Sequence, residues 1–424
     1  MTAGQRVEHV TCLGCGCGCD DVTVSMDAGR IVDAAPICPI GRAWFGDGTI
    51  PSEIVRKGQP VTLEEALSEA AAVLVEAGSR CLVYLAPDLS SEAQRAALAV
   101  ADMLGANVDC ATSATAATGL IAAQRRGRSG STLGEIRNRG DVLLFWGVDP
   151  AERYPRYLSR YALEPVGTQV PQGRKGRFVI SVSIGTDRGL KDADLSLELA
   201  AGEEILALSL MRAAVAGNNV GQPSAQMGQA LAIAKRLRQS RYAVIVHDAE
   251  PSTERRDPLR VEGLIALTQA LNEATRATLS SLRAGGNRTG AEAVLTWQTG
   301  YPFAVDYSRG HPRYTPGERG LDRLARGAFR AVLLAGASQL DGSTPSSFSG
   351  ARVVAVGPRA SQASFPTQVA IDTGVAGIHE SGIAYRMDEV PLPLRPPIAG
   401  QRSAAETLNA LATAVRSHRG RNSR

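Results

Sequence analysis

Residues 62–85 read TLEEALSEAAAVLVEAGSRCLVYL, and this stretch decides the fold class. Thr62 followed three residues later by Glu65 is a capping box, in which each side chain satisfies a free backbone N–H at a helix start. Leu63, Ala66, Leu67, Ala70 and Leu74 then recur at helical spacing on one face. Cys81-Leu82-Val83-Tyr84-Leu85 follows as an uninterrupted apolar run, too short for a helix and of the right length for a buried strand. Residues 91–104 predict the next helix. The same alternation continues through the apolar runs Val142–Trp146, Phe178–Val182, Ala243–Val246, Val332–Leu334 and Val353–Val356. Strands apolar on both faces and separated by helices indicate parallel sheets covered on each side. The fold class is α/β. Gly167–Gly176 and Pro391–Gly400 are rich in glycine or proline and are expected to be surface connections.

Composition excludes several function classes. The formal charge of the 424 residues is +4, and Arg416, Arg419, Arg421 and Arg424 at the C-terminus account for all of it. The rest of the chain is neutral, and composition reveals no basic face of the kind that displaces counterions from nucleic acid. No run reaches the roughly eighteen uncharged apolar residues that a membrane helix requires. The N-terminus lacks the basic start and apolar core of a secretory signal. The expectation is a cytoplasmic protein that binds neither nucleic acid nor membrane. No zinc-protease histidine pair, nucleophile elbow or phosphate-binding G-K-[ST] loop occurs. Gly285-Gly286-Asn287-Arg288-Thr289-Gly290 departs from the dinucleotide-binding pattern and reads as a loop.

Five of the seven cysteines, Cys12, Cys15, Cys17, Cys19 and Cys38, fall close together, while Cys81 and Cys110 stand alone. In a cytoplasmic chain such clustering points to metal ligation before disulfides. Cys12, Cys15, Cys19 and Cys38 have the spacing C-x2-C-x3-C-x18-C. Gly14, Gly16 and Gly18 let the backbone fold tightly enough for these thiolates to converge on iron or zinc. Cys17 is surplus to this set and is expected to point away from it. The alternative is a decayed site whose small apolar thiols now only pack.

These cysteines and several later blocks resemble the molybdopterin oxidoreductase superfamily, and within it the B subunit of formylmethanofuran dehydrogenase. The blocks are TCLGCGCGCDDV (Thr11–Val22), CPIGRAWF (Cys38–Phe45), STLGEIRNRGDVLLFWGVDP (Ser131–Pro150), YPRYLSRY (Tyr154–Tyr161), TWQTGYPFAVDYSRGHPRYTPGE (Thr296–Glu318) and GIHESGIAYRMDEVPLPL (Gly377–Leu394). The resemblance implies a cysteine-rich iron–sulfur-type domain over 1–50. It further implies interleaved, formate dehydrogenase-like α/β domains with parallel sheets over 51–400, and a C-terminal helix and basic tail over 401–424. About thirty residues follow Leu394, too few for the C-terminal barrel of the larger superfamily enzymes.

Family members carry a 4Fe–4S cluster on the cysteines matching Cys12, Cys15, Cys19 and Cys38. They hold tungsten or molybdenum between two pterins through a cysteine followed by a histidine, in a loop resembling D-N-T-S-S-x-C-H-G. Here that loop reads Asp109-Cys110-Ala111-Thr112-Ser113-Ala114-Thr115-Ala116-Ala117. Thr115 stands in place of the cysteine and Ala116 in place of the histidine. A hydroxyl is a poor ligand for a soft metal centre, and a methyl group carries no proton. Cys110, five residues upstream, would aim its sulfur elsewhere. The bis-pterin metal is therefore expected to be absent, and the chain's own oxidoreductase activity lost. In the family, blocks matching Arg309, His311, Arg313 and Arg386 line the pterin and formate cavity. Here these residues either keep an anion site or form ion pairs that hold the structure together. Trp146 and Trp297 are expected in the core or at domain contacts.

Similar chains occur in bacterial formyltransferase/hydrolase complexes of tetrahydromethanopterin-linked one-carbon metabolism. The resemblance implies a structural member of such a complex, beside an amidohydrolase-like A subunit, a C-type subunit and a formyltransferase D subunit. An active tungsten or molybdenum formylmethanofuran dehydrogenase subunit is the alternative.

Overall fold

The computed structural model describes residues 5–221, 223–250, 258–317, 321–324, 326–337, 348 and 350–422. The chain forms two compact units. One combines Met1–Ala114 with Gly285–Arg424, and the other is the continuous segment Thr115–Ala284.

The first unit is built on a nine-stranded sheet. Its central strands, Asn107–Cys110, Cys81–Leu85, Ala331–Ala335, Arg352–Gly357 and Val369–Asp372, lie side by side in that order and are parallel. Val305–Asp306 and Ile54–Arg56 flank these in antiparallel pairing, and Arg313–Tyr314 and Gln59–Pro60 pair outside them as the edge strands. Leu82, Val332, Leu334, Val353, Ala355 and Ala370 from this sheet share one buried core with Phe329 and Phe348. The expected helix is present at Leu63–Ala77 with both halves of its capping box formed, and the second runs from Ser91 to Leu104. The chain starts with an antiparallel sheet of Gln5–Cys12, Cys19–Asp27 and Arg30–Ala35, which the apolar runs alone did not suggest.

The second unit holds a five-stranded, wholly parallel sheet in the order Leu195–Leu199, Phe178–Ile184, Val142–Trp146, Ala243–Asp248, Ala277–Leu282. Leu144, Trp146, Ile180, Val182 and Ile245 pack in one core with Leu208 and Met211 of helix Glu204–Val215 and Leu264 and Leu267 of helix Arg260–Asn272. Trp146 sits in that core, its Nε1–H donating to Glu204 Oε1 at 2.7 Å. Glu204 also accepts from Arg260 Nε at 2.6 Å, so this buried carboxylate is paired with a charge.

Three expectations need correction. Trp297 is 57% exposed, because it lies on the outer face of helix Arg288–Thr299 with its ring edge on Tyr385. Within Pro391–Gly400, residues Pro391–Leu394 form a strand paired antiparallel with Gly382–Tyr385. A two-strand hairpin tolerates proline because one side of each strand needs no partner. Gly285–Gly290 does lie on a strand-to-helix connection, since strand Ala277–Leu282 leads through it into helix Arg288–Thr299. Among the described residues no helix is long and apolar enough to cross a membrane, and no barrel is present.

Candidate functional site

The cysteine turn joins the first two strands. Cys12 and Cys19 are cross-strand partners at the end of that ladder, and Cys15 and Cys17 lie on the turn between them. The Gly18 N–H donates to the Cys15 carbonyl at 3.2 Å, and Gly18 has φ +48°, a backbone conformation that a Cβ would strain. This tight reversal corrects one expectation. Cys17 does not point away, for its fully buried thiol is hydrogen-bonded to that of Cys15.

Cys38 arrives from elsewhere in the chain as the N-cap of helix Pro39–Phe45, and its Sγ accepts the Gly41 N–H at 3.5 Å. The Gly14 N–H reaches Cys12 Sγ at the same distance. Backbone donors aimed at sulfur stabilise the thiolate, the form that binds metal. The opposing force is burial, which pushes the Cys12 thiol well above its ordinary range. Cys19, Cys15 and Cys38 push it further in the same direction. The Cys12 thiol therefore senses the other three, and a cation among them would relieve what burial costs.

Glycines let three other segments close on this turn. A Cβ on Gly285 would lie 2.3 Å from the Gly14 carbonyl oxygen, and the Gly286 N–H donates to Leu13 O at 2.8 Å. A Cβ on Gly41 would lie 3.0 Å from Cys12 Sγ. From the hairpin Gly382–Leu394, the Met387 N–H donates to Gly16 O at 3.1 Å, and the Arg386 stem lies over Gly18. Leu13 is buried among Ala376, Ala384 and Leu394, with Trp44 against them. Sequence reasoning missed these walls. The signal available to it was the resemblance block Gly377–Leu394, and the glycine pair at 285–286 explains itself only by this close approach.

Thr115 and Ala116 occupy no comparable setting. Thr115 ends the helical turn Thr112–Thr115, and Ala116 links it to helix Ala117–Arg126. Cys110 lies five residues before Thr115, at the end of strand Asn107–Cys110. Its thiol is fully buried and pushed up to about 12, by burial first and then by Asp109 and Glu292. The residues present do not fit a thiolate-bound metal at this loop.

Arg309 and His311 are exposed. Arg313 is ion-paired with Asp306, its cross-strand partner. Arg386 holds Asp388 in a two-pronged ion pair at 2.7 and 2.8 Å. Two of the four candidate cavity residues thus serve ion pairs, which is the structural alternative raised for them. His247 and His379 are buried and hydrogen-bonded, to Ser281 Oγ and Gly48 O respectively.

The geometry defines a class: an α/β protein with a cysteine-lined turn at the edge of its first unit and no thiolate at the loop after Cys110. No protein-family model matches the chain. It is 30% identical to the B subunit of a tungsten-containing formylmethanofuran dehydrogenase 2 of Methanococcus maripaludis, over 95% of this chain and 97% of that protein. The counterpart in Methanocaldococcus jannaschii is also 30% identical, over 92% and 93%. The chain belongs to the family of formylmethanofuran dehydrogenase B subunits. The B subunit of the formyltransferase/hydrolase complex Fhc of Methylorubrum extorquens is 27% identical over 61% of this chain and 67% of that one. A chain in the crystal structure of the Methylorubrum extorquens complex FhcABCD with methylofuran shares the fold, with a TM-score of 0.72. At 24% identity it covers 87% of this chain and 99% of its own.

Proposed function

We propose that the chain is the redox-inactive B subunit of a formyltransferase/hydrolase complex that converts formyl-tetrahydromethanopterin to formate. In this reading amidohydrolase-like A and formyltransferase D subunits carry the chemistry, a C-type subunit completes the assembly, and this chain positions them. One observation carries it: Thr115 and Ala116 stand where a metal-binding chain needs a thiolate and a proton carrier. Likeness to the Fhc B subunit over part of the chain supports the same reading. The mixed nine-stranded sheet, the parallel five-stranded sheet and the cysteine turn are consistent with a molybdopterin-oxidoreductase-like fold.

At the cysteines, the donor set favours a 4Fe–4S cluster over zinc. A tetrahedral zinc with bonds of about 2.3 Å draws its sulfurs to within roughly 4 Å of one another. Among the described residues no three ligand side chains are gathered to hold a single ion, although the Cys12 thiol senses Cys19, Cys15 and Cys38. A cluster sets iron and sulfide between its cysteines and so accepts a wider set. Bound there, it would supply electron storage or simple cross-linking of the turn, while Cys12, Cys15, Cys19 and Cys38 would hold it.

Metal and pterin analysis of the purified assembly tests the function. The expected result is no molybdenum, tungsten or pterin, with formate released from formyl-tetrahydromethanopterin. Stoichiometric tungsten with paired pterins would establish the competing reading, which likeness to the tungsten-containing relatives keeps in view.

A further inference from the structure

The cysteine turn is gripped from two sides by different means. On one side the grip is backbone on backbone, Gly285–Gly286 against Leu13–Gly14. On the other it is the tip of the hairpin Gly382–Leu394, which carries a two-pronged ion pair beside its backbone hydrogen bonds. In that tip the Arg386 N–H donates to Val390 O at 3.0 Å and the Glu389 N–H to Arg386 O at 2.9 Å. Arg386 Nε and Nη2 meet the two carboxylate oxygens of Asp388. The side chains are 10% and 3% exposed, so water screens the pair little.

A planar fork engaged at both prongs fixes the arginine's orientation as well as its charge. That orientation lays the aliphatic stem over Gly18. A Cβ there would meet Arg386 Cγ at 3.1 Å and Leu392 Cδ1, from the opposite strand, at 3.0 Å. Immediately beside this contact the Met387 N–H holds Gly16 O. The two glycines in contact with the tip, Gly16 and Gly18, alternate with Cys15, Cys17 and Cys19.

We propose that Arg386 and Asp388 are positioning residues for the metal group of the cysteine turn, their ion pair latching the hairpin tip onto Gly16 and Gly18 so that Cys15 and Cys19 stay in ligating position. The inference rests on the reading of the turn as an iron–sulfur site and assigns Arg386 to that site instead of a pterin cavity. The latch predicts that breaking the pair loosens metal retention without unfolding the protein, because the grip of Gly285–Gly286 and the nine-stranded sheet are left intact.

The test uses the full-length chain, loaded anaerobically with ferrous iron and sulfide, as wild type and as Arg386→Gln, Arg386→Lys and Asp388→Asn. Iron loss to a ferrous chelator, the brown charge-transfer absorbance and the electron paramagnetic resonance of the reduced protein are followed beside the thermal melt. Arg386→Gln and Asp388→Asn are expected to lose iron about tenfold faster or more, the range seen when groups supporting metal ligands are removed. The melt should move little, and Arg386→Lys, which keeps charge but not the fork, should fall between. Faster alkylation of Cys15 in the metal-free variants would be a second support, independent of loading. Asp388→Asn, nearly isosteric, decides the matter should Arg386→Gln fold poorly. Wild-type iron release from a folded Asp388→Asn would overturn the latch alone. A wild-type chain that takes up no iron and sulfide would overturn both the latch and the cluster reading.

Discussion

Asn287 is fully buried and uses every polar atom of its side chain. Its Nδ2 donates to Leu89 O at 3.0 Å and lies within hydrogen-bond reach of Ser91 Oγ and Gln94 Oε1, while Oδ1 accepts the Tyr385 N–H at 2.7 Å. One amide therefore ties the turn after Cys81–Leu85, helix Ser91–Leu104 and the hairpin that covers the cysteines. Asn287→Ala strands at least the Tyr385 N–H and the Leu89 carbonyl, at about 1–3 kcal/mol for each buried group left unmade. We expect a loss of about 3 kcal/mol in urea unfolding, and a loss below about 1 kcal/mol would refute this role. His379 gives a pH signature. Its Nδ1 accepts the Val375 N–H and its Nε2 donates to Gly48 O, so the neutral ring is the one that fits. Burial, and Arg359 to a lesser degree, lower its affinity for a proton. The unfolded chain then binds more protons between the lowered value and the ordinary 6.5, so stability is full above pH 6.5 and falls as acid is added below it. His379→Gln should flatten that slope in unfolding measured from about pH 7.5 to 5, and an unchanged slope would assign it to other groups. The cysteine cluster was legible as a motif because most of its spacing is short. Asn287 and Arg386 were not, since their meaning lies in partners that only folding brings near.

Strands and helices were legible where burial is carried by apolar side chains. Cys81–Leu85 and Val142–Trp146 appear with the bounds that hydrophobicity assigns them, because the middle of a covered parallel sheet leaves no position for a polar group. Asn107–Cys110 and Ala277–Leu282 escaped notice for the opposite reason. Asn107, Asp109, Thr278 and Ser280 are buried but polar, with Asn107 Nδ2 bonded to Ser79 O and Thr278 Oγ1 to Ser131 Oγ. Such side chains look like a loop until their partners are known. Helix ends were the reverse case, readable from two residues. Thr62→Ala removes the acceptor for the Glu65 N–H and should cost about 1 kcal/mol in chemical unfolding; no change would mean that water caps the helix equally well. The glycines separate by the same logic. Gly228 lies inside helix Ala225–Arg238 with open space where a Cβ would go, so Gly228→Ala should stabilise by up to about 1 kcal/mol. Gly285→Ala would drive a methyl group into the Gly14 carbonyl and should cost several-fold more, with loss of metal uptake. Equal effects of the two substitutions on the melt would remove close packing as the reason for Gly285.

The division into two units was the least legible feature, because nothing in composition changes at 114 or 285. It follows instead from which strands pair. Thr115–Ala284 keeps all five strands of its sheet and all the helices that cover them within one continuous stretch. The first unit is shared between two distant stretches, and its sheet places Ala331–Ala335 directly against Cys81–Leu85. The consequences for folding differ. A segment that closes its own core meets the ordinary condition for independent folding, so residues 115–284 expressed alone should be soluble and melt cooperatively by circular dichroism. Residues 1–114 alone would expose a fully apolar strand, Cys81–Leu85, along an edge meant for a parallel neighbour. Such an edge recruits other chains, and this fragment should aggregate. The contrast between the two fragments is the decisive measurement. A broad, non-cooperative melt for 115–284 would mean that its core depends on the flanking stretches, and that the chain folds as one indivisible body.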